Sequence, residues 1–264
     1  MSDSNARVVF GGTILVHTGG VAATIAGVLP WEGLAAGLAA NHAVLCAASV
    51  IPRCGWLGAN LTKLPASAPP GVLSLTFDDG PDPEVTPVVL ELLRQAGAKA
   101  TFFCIGQRAE TYPDLIRTMR AAGHGIENHT QSHPNALALR SRRAIGGEIA
   151  HAQAAIHAAG GGTPTLFRAP AGMKNPWMGG AIAGQGLRLV TWTRRGFDTV
   201  SRSAPRVAQR LVRGLAARDI LVLHDGASAR AAGRPIVLDA LPRILDAMAA
   251  RTLRSEPVHT ALRA

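Results

Sequence analysis

Aromatic residues, lysine and cysteine are all scarce in this chain, and each scarcity removes a class of protein. Aromatics make up 4% of the 264 residues, and Tyr112 is the single tyrosine. The net charge is +10, yet Lys63, Lys99 and Lys174 are the only lysines and the arginines are scattered. A nucleic-acid footprint gathers basic residues on one face with aromatics among them, so no nucleic-acid partner is expected. An anionic surface or substrate stays compatible with the charge. The cysteines, Cys46, Cys54 and Cys104, are odd in number and lack C-x-x-C spacing, which argues against a disulfide framework. Cys46 lies in an apolar run and Cys104 in an expected buried strand, so both read as small core residues and a reducing compartment is favoured.

Charge itself is missing from two blocks. Val8 to Pro30 holds no Asp, Glu, Lys or Arg, and Gly33 to Ile51 is a second such run carrying only His42 as a titratable base. A bilayer-spanning helix needs about 20 apolar residues, so both blocks qualify by length. Residues 1–63 are therefore expected to form a hydrophobic helical hairpin anchored in a bacterial-type inner or plasma membrane, with Trp31 and Trp56 near its interfaces. A cleaved signal peptide fits less well, because the apolar stretch far exceeds the usual hydrophobic region. A buried hairpin packed on a soluble domain is the alternative. If both blocks span, Arg7, Arg53 and Lys63 lie on the same side as the large C-terminal domain, and the positive-inside rule makes that side cytoplasmic. Residues 64–71, with Pro65, Pro69 and Pro70, read as a linker.

What is present supports a full core: 47% of the residues are hydrophobic. From residue 72 to 264 short apolar runs alternate with amphipathic stretches. Strands are expected at Val72 to Phe77, Ala100 to Ile105, Gly125 to Asn128, Thr165 to Arg168, Leu187 to Trp192 and Ile220 to Leu223, with a further short one at Pro257 to Thr260. Helices are expected between them, at Pro87 to Gly97, Pro113 to Gly123, Arg142 to Ala159, Pro205 to Ala217 and Ile236 to Ala250. Strict alternation predicts an α/β fold, a distorted or partly open (β/α)-barrel with about seven parallel strands. In such barrels the active site gathers at the C-terminal strand ends.

Polar residues fall at those ends. Asp78 and Asp79 follow the first strand, His129 and His133 the third, Arg168 the fourth, Asp198 the fifth, and His224 and Asp225 the sixth. Two adjacent carboxylates suit a metal site in which one ligates and its neighbour moves a proton. His129-Thr130-Gln131-Ser132-His133 spaces two imidazoles to share one face of a helical turn. With Asp79 they make a two-His, one-carboxylate set for a divalent metal; zinc is the default, while iron, cobalt and nickel suit the same ligands. Taken singly, each of these residues has a plainer reading: an Asp-rich turn, surface histidines, a surface arginine, a core histidine.

Together they resemble the polysaccharide deacetylase family (NodB homology, carbohydrate esterase family 4). Thr76-Phe77-Asp78-Asp79-Gly80-Pro81 and His129-Thr130-Gln131-Ser132-His133 match its first two motifs. Arg168-Ala169-Pro170-Ala171-Gly172 resembles the third and Leu221-Val222-Leu223-His224-Asp225 the fifth, so the resemblance covers about Gly71 to Gly226. It implies a metal-assisted amide hydrolase, with Asp79, His129 and His133 on the metal and Asp78 as general base. Arg168 would orient Asp78, and His224 would protonate the leaving amine. The Ala171 backbone N–H, in the loop begun by Pro170, would bind the oxyanion. Asp198 stands where the family has an aspartate that pairs with the third-motif arginine.

The sequence also departs from that pattern. Thr199 stands where the family places a groove-lining tryptophan, Ala171 where an aromatic is usual, and Arg195 where an acid is common. Sugar rings stack on aromatic faces, so these losses weaken the case for gripping a polymer. Arg194, Arg195 and Arg202 suit a phosphate or carboxylate instead. The expected activity is removal of an N-acyl, chiefly acetyl, group from an amino-sugar-containing glycan or a lipid-linked sugar. A deformylase or other C–N hydrolase on a small or lipid-linked substrate is the alternative, as is a non-catalytic membrane-anchored carbohydrate-binding protein.

Overall fold

The computed structural model describes residues 3–263. It begins with α1 (Asp3–Ile14), a π-helical turn (Leu15–Gly19) and α2 (Gly20–Ile25), followed after a short turn by α3 (Trp31–Val50). These helices leave their apolar side chains uncovered: Val8 is 73% and Ile25 83% exposed, and Ala48 is the buried residue of α3. Cys46 is exposed on α3, against the expectation of a core position, whereas Cys104 is buried.

The remainder alternates as expected, through β1 (Val72–Asp78), α4 (Thr86–Gln95), β2 (Ala100–Cys104), α5 (Gly106–Thr111), α6 (Pro113–Ala121) and β3 (Gly125–Asn128). Then follow α7 (Arg142–Ala158), β4 (Leu166–Phe167), α8 (Met178–Ala183), β5 (Arg188–Leu189) and β6 (Arg194–Arg195). The chain continues through α9 (Ala204–Val212), β7 (Ile220–His224), the hairpin β8 (Arg230–Ala231) and β9 (Arg234–Pro235), α10 (Ile236–Ala249), β10 (Arg254–Ser255) and α11 (Val258–Ala261). Proline opens α4, α6 and α9, where its missing N–H costs nothing. Residues 257–260, expected as a strand, instead enter α11; the strand sits just before them at β10, paired in parallel with the start of β1.

The parallel sheet runs β5-β4-β3-β2-β1-β7-β6, curled into a partly open barrel. Its alternation explains the site. Leu73, Leu75 and Phe77 of β1 join Phe102, Leu221 and Leu223 in the core beneath α4, α9 and α10. The opposite faces of the same strands carry Val72, Ser74, Thr76 and Asp78, with Phe103, Ile220 and His224. The register sets Asp78 beside both Phe103 and His224. Successive strand residues point to opposite faces, so the apolar row binds the helices while its alternate row climbs the inner face to end at a carboxylate.

The chain leaving α3 packs onto the barrel rather than hanging from it. Leu61 forms a parallel bridge with Val190, its N–H donating to Leu189 O and its carbonyl accepting from Thr191 N, each at 2.9 Å. Leu64 N donates to Arg218 O at 2.9 Å, just ahead of β7. Within 64–71, read from sequence as a linker, Leu64 and Ala68 are buried among Val72, Phe103 and Ile220.

Candidate active site

One cavity of about 220 Å³ at the C-terminal strand ends is lined by Asp78, Asp79, His129, His133, Ala171, Gly172, Trp192, Arg195, Thr199, His224 and Ala227. Eight of the residues singled out by sequence share it, Arg195 among them; Arg168, Asp198 and Pro170 lie behind them, fully or nearly buried.

Asp79 reaches the cavity because it turns the chain at φ 71, in the left-handed region that Asp tolerates better than most residues. The loop around it is held backbone to backbone: a Cβ on Gly226 would lie 2.0 Å from Asp79 O. Asp225, whose role the sequence left open, buries its carboxylate under Gly80 and accepts from Thr86 Oγ1 at 2.5 Å. Burial raises its carboxyl to about 7 against the lowering effect of that hydrogen bond. It supports the loop and is not among the residues lining the cavity.

His129 and His133 do meet on Asp79, but not as neighbours on a helix. Thr130 and His133 take φ 70 and φ 50, and the segment is an irregular loop. Its backbone groups have other partners. Glu148 of α7 accepts from Gln131 N at 3.1 Å and Ser132 N at 2.9 Å, and Gly106 N and Gln107 N donate to Thr130 O and Gln131 O. A helical turn would have to give these up.

The three groups fit a cation. Their ligand atoms lie within 4.8 Å of one another, with His129 Nε2 3.2 Å and His133 Nε2 3.0 Å from Asp79 Oδ1. Despite these short approaches, that buried oxygen has no aligned hydrogen bond. His129 Nδ1 lies 2.8 Å from Arg168 O; a carbonyl only accepts, so Nδ1 carries the proton and Nε2 offers its lone pair to the cluster. Burial raises the Asp79 carboxyl, but the two imidazoles outweigh it and hold the group well below the ordinary carboxylate range. Lone pairs converging from a carboxylate and two imidazoles are what a zinc-like divalent ion requires.

Asp78 has a different partner. Arg168, wholly buried, donates from one terminal nitrogen to Asp78 Oδ1 at 2.6 Å and to Thr76 Oγ1 at 2.7 Å. Its other terminal nitrogen reaches Thr191 O at 2.9 Å, Nε reaches Val190 O at 3.4 Å, and the guanidinium lies over the Phe103 ring at 4.1 Å. A buried charge survives only when paired and hydrogen-bonded, and this one is both.

Those contacts occupy Arg168, so Asp198 does not pair with it as the family pattern had suggested. Asp198 Oδ1 instead lies 2.9 Å from His224 Nδ1, and Oδ2 accepts the His224 backbone N–H at 2.8 Å. Burial disfavours the charged imidazole, but Asp198 overrides it and raises His224 to about 9. His224 is thus a cation at neutral pH.

The loop bearing Ala171 is locked from both ends. Ala171 has φ 56, and Gly172 at φ 70 lies so close to Trp192 that a Cβ would sit 2.4 Å from the indole. Lys174, 2% exposed, donates to Ile51 O, Pro52 O and Cys54 O at 3.0, 3.2 and 2.7 Å, tying the loop to the end of α3. Asn175 donates to Ala138 O and Arg140 O at 2.9 and 3.2 Å.

Sequence reasoning missed the rim. Trp192 lines the cavity and Phe197, 44% exposed, stands beside it, so the site is not stripped of aromatics. A tryptophan closing an apolar run and the last aromatic in the chain were the available signals. Of the three arginines proposed to meet an anion, Arg194 is bound to Asp219 and to the carbonyls of Arg213 and Gly214, Arg202 is exposed, and Arg195 alone faces the cavity.

The polysaccharide deacetylase family model matches residues 66–190. A chitooligosaccharide deacetylase of Azorhizobium caulinodans is 36% identical over 195 residues, covering 70% of this chain and 91% of its own. A peptidoglycan-N-acetylglucosamine deacetylase of Bacillus cereus is 33% identical over 175 residues, covering 66% and 84%. Among solved structures, a family 4 carbohydrate esterase from Streptomyces lividans in complex with acetate superimposes with a TM-score of 0.64 at 36% identity, covering 70% of this chain and 91% of that one.

Proposed function

The chain belongs to the polysaccharide deacetylase family, and from that premise we propose that it is a membrane-anchored, metal-dependent N-deacetylase acting on an amino-sugar-containing glycan or a lipid-linked sugar. The observation that carries this reading is one cavity bounded by three distinct devices: a three-ligand cluster, a carboxylate held by a buried arginine, and an imidazolium held by a buried aspartate.

Asp79, His129 and His133 would hold the metal, zinc by the nature of the donors. When bound, it supplies Lewis acidity that brings a water's pKa toward neutrality and polarises the acyl oxygen. Asp78 takes the proton of the attacking water, oriented by the charge-assisted hydrogen bond from Arg168. The oxyanion forms beside the Ala171 loop, whose locked backbone N–H is a preorganised donor. His224, kept cationic by Asp198, passes its proton to the amide nitrogen as the C–N bond breaks, releasing the free amine and the carboxylic acid. Thr199 and Trp192 bound the sugar side of the cavity.

The anchor reading is supported by the uncovered apolar faces of Arg7–Ile25 and Trp31–Val50, both long and apolar enough to cross a bilayer. A hairpin of that kind, tied to the Ala171 loop through Lys174, keeps the cavity near the membrane and favours a lipid-linked or envelope-bound substrate.

Acetate and formate release by the detergent-purified protein, with and without chelator, tests the chemistry. Chelator-sensitive, zinc-restored release from acetylated amino sugars is expected, whereas release that chelation leaves untouched overturns the metal-dependent reading. Retention in the membrane fraction after an alkaline carbonate wash tests the anchor; loss of the protein to the supernatant refutes it.

A further inference from the structure

Two consecutive arginines on β6 have opposite fates. Their register on β7 is the same, Arg194 beside Leu221 and Arg195 beside Val222, so their side chains leave on opposite faces of the sheet. Arg194 is saturated by Asp219 and two backbone carbonyls. Arg195 lines the cavity with Asp78, Asp79 and His224, and none of the ion pairs among the described residues includes it. Its Nε is buried without a hydrogen-bond partner. Leaving such a donor unsatisfied costs about 1–3 kcal/mol, a cost that a ligand acceptor removes.

Its position is nonetheless defined. The guanidinium carbon lies 5.2 Å from the Trp192 ring centroid and 5.0 Å from that of Phe197. Phe197 takes φ 60, an unfavourable backbone for a bulky residue, and its ring contacts both Arg195 and Arg210, the latter at 5.6 Å. Aromatic contact engages the face of a guanidinium and leaves its N–H edge free, the edge that grips an oxyanion in bidentate fashion. The acids nearby are already taken: Asp78 by Arg168, Asp79 by the two imidazoles, Asp198 by His224.

We propose that Arg195 is a specificity-determining residue that binds an anionic oxygen group, phosphate or carboxylate, carried by the substrate close to its acylated nitrogen. This deepens the deacetylase reading and rests on it. The shared chemistry is a negatively charged oxygen cluster; a sugar phosphate and a sugar carboxylate are its two sources.

Steady-state kinetics on N-acetylglucosamine 1-phosphate, N-acetylmuramic acid and neutral chitobiose, with the full-length protein in detergent, separate these sources. Arg195→Gln is expected to raise KM at least ten-fold for one anionic sugar, whichever source is right. It should leave kcat and KM for chitobiose within two-fold, and Arg194→Gln should leave all three substrates unchanged. Arg195→Lys should recover part of the loss, and Phe197→Leu should reproduce a smaller rise by loosening the guanidinium. An Arg195→Gln protein whose KM is unchanged for both anionic sugars, or raised equally for chitobiose, overturns the proposal. Calorimetric titration with glucosamine 1-phosphate and with muramic acid needs no turnover, and so keeps this idea apart from the deacetylase reading. Binding of either that is lost in Arg195→Gln sustains it even in a protein that hydrolyses nothing, and binding of neither, or binding indifferent to residue 195, refutes it.

Discussion

The two walls of the cavity are built by different rules. On the β1, β3 and β4 side, Asp78, Asp79, His129 and Arg168 sit at or one residue beyond a strand end, with His133 further along its loop, and they are tied to buried partners, as Asp78 is to Arg168 and His129 to the Arg168 carbonyl. On the β6 and β7 side, His224 is still a strand-end residue, but Arg195, Phe197, Asp198 and Thr199 come from a short strand and the loop after it, where Asp198 is buried, Arg195 and Thr199 are half-buried and Phe197 is exposed. On the reading proposed above, the first wall supplies the metal ligands and the base while His224 supplies the acid from across the cavity, and a fraction of an ångström matters to proton transfer. Of the departures from the family pattern, Arg195 and Thr199 lie on the second wall, which on the same reading selects what enters, and Ala171 follows β4.

His129→Ala removes one imidazole of the proposed metal cluster, so bound metal and activity should both fall below detection, with metal analysis of the purified variant as the check. Asp78→Asn strikes the same wall but spares the ligands: turnover should fall by about 10²–10⁴-fold, the usual worth of a positioned general base, with metal content intact. Near-normal turnover in that variant would remove Asp78 from the role of base.

Asp198→Asn tests whether the second wall takes part in chemistry. His224 lies at about 9, so the protonated acid and hence kcat/KM should persist through neutrality and decline as pH passes about 9. Without Asp198 the imidazolium loses its counter-charge, and that decline should move to lower pH. Stability follows the same sign. A folded-state pKa above the ordinary imidazole value of 6.5 stabilises the fold fully below that value, a contribution lost as pH rises through about 9. Thermal midpoints of the wild type and Asp198→Asn should therefore differ most in mild acid and converge above pH 9. An unmoved alkaline limb would mean that Asp198 does not tune the acid.

Phe197→Ala should have the least effect. Aromatic contacts are worth about 0.5–1.5 kcal/mol, so KM should rise roughly two- to ten-fold with kcat little altered. A fall in kcat instead would place the ring against the reacting atoms and erase the distinction between the walls.

That Asp78, Asp79, His129 and His224 meet in one cavity was readable in the chain, because a strand that buries one face must alternate, and a polar residue at its end has nowhere to go but the cavity. The strand at Val72–Asp78 shows this in seven residues. The geometry of His129 and His133 was not readable: their spacing suits a helix, and only Glu148 and the start of α5 hold the loop open. Nor was the partner of Asp198, which depends on Arg168 having been filled by Asp78, Thr76 and two carbonyls from distant segments.

Sequence alone thus established the fold class, the family and the chemical inventory of the site, since these follow from local periodicity and from residue types at strand ends. Tertiary structure decided the pairing of charges, the separation of Arg194 from Arg195, the return of Trp192 and Phe197 to the rim, and the seating of residues 61–64 against the barrel. Each of these depends on which buried donors and acceptors remain free once the rest are satisfied, a competition among segments far apart in the chain.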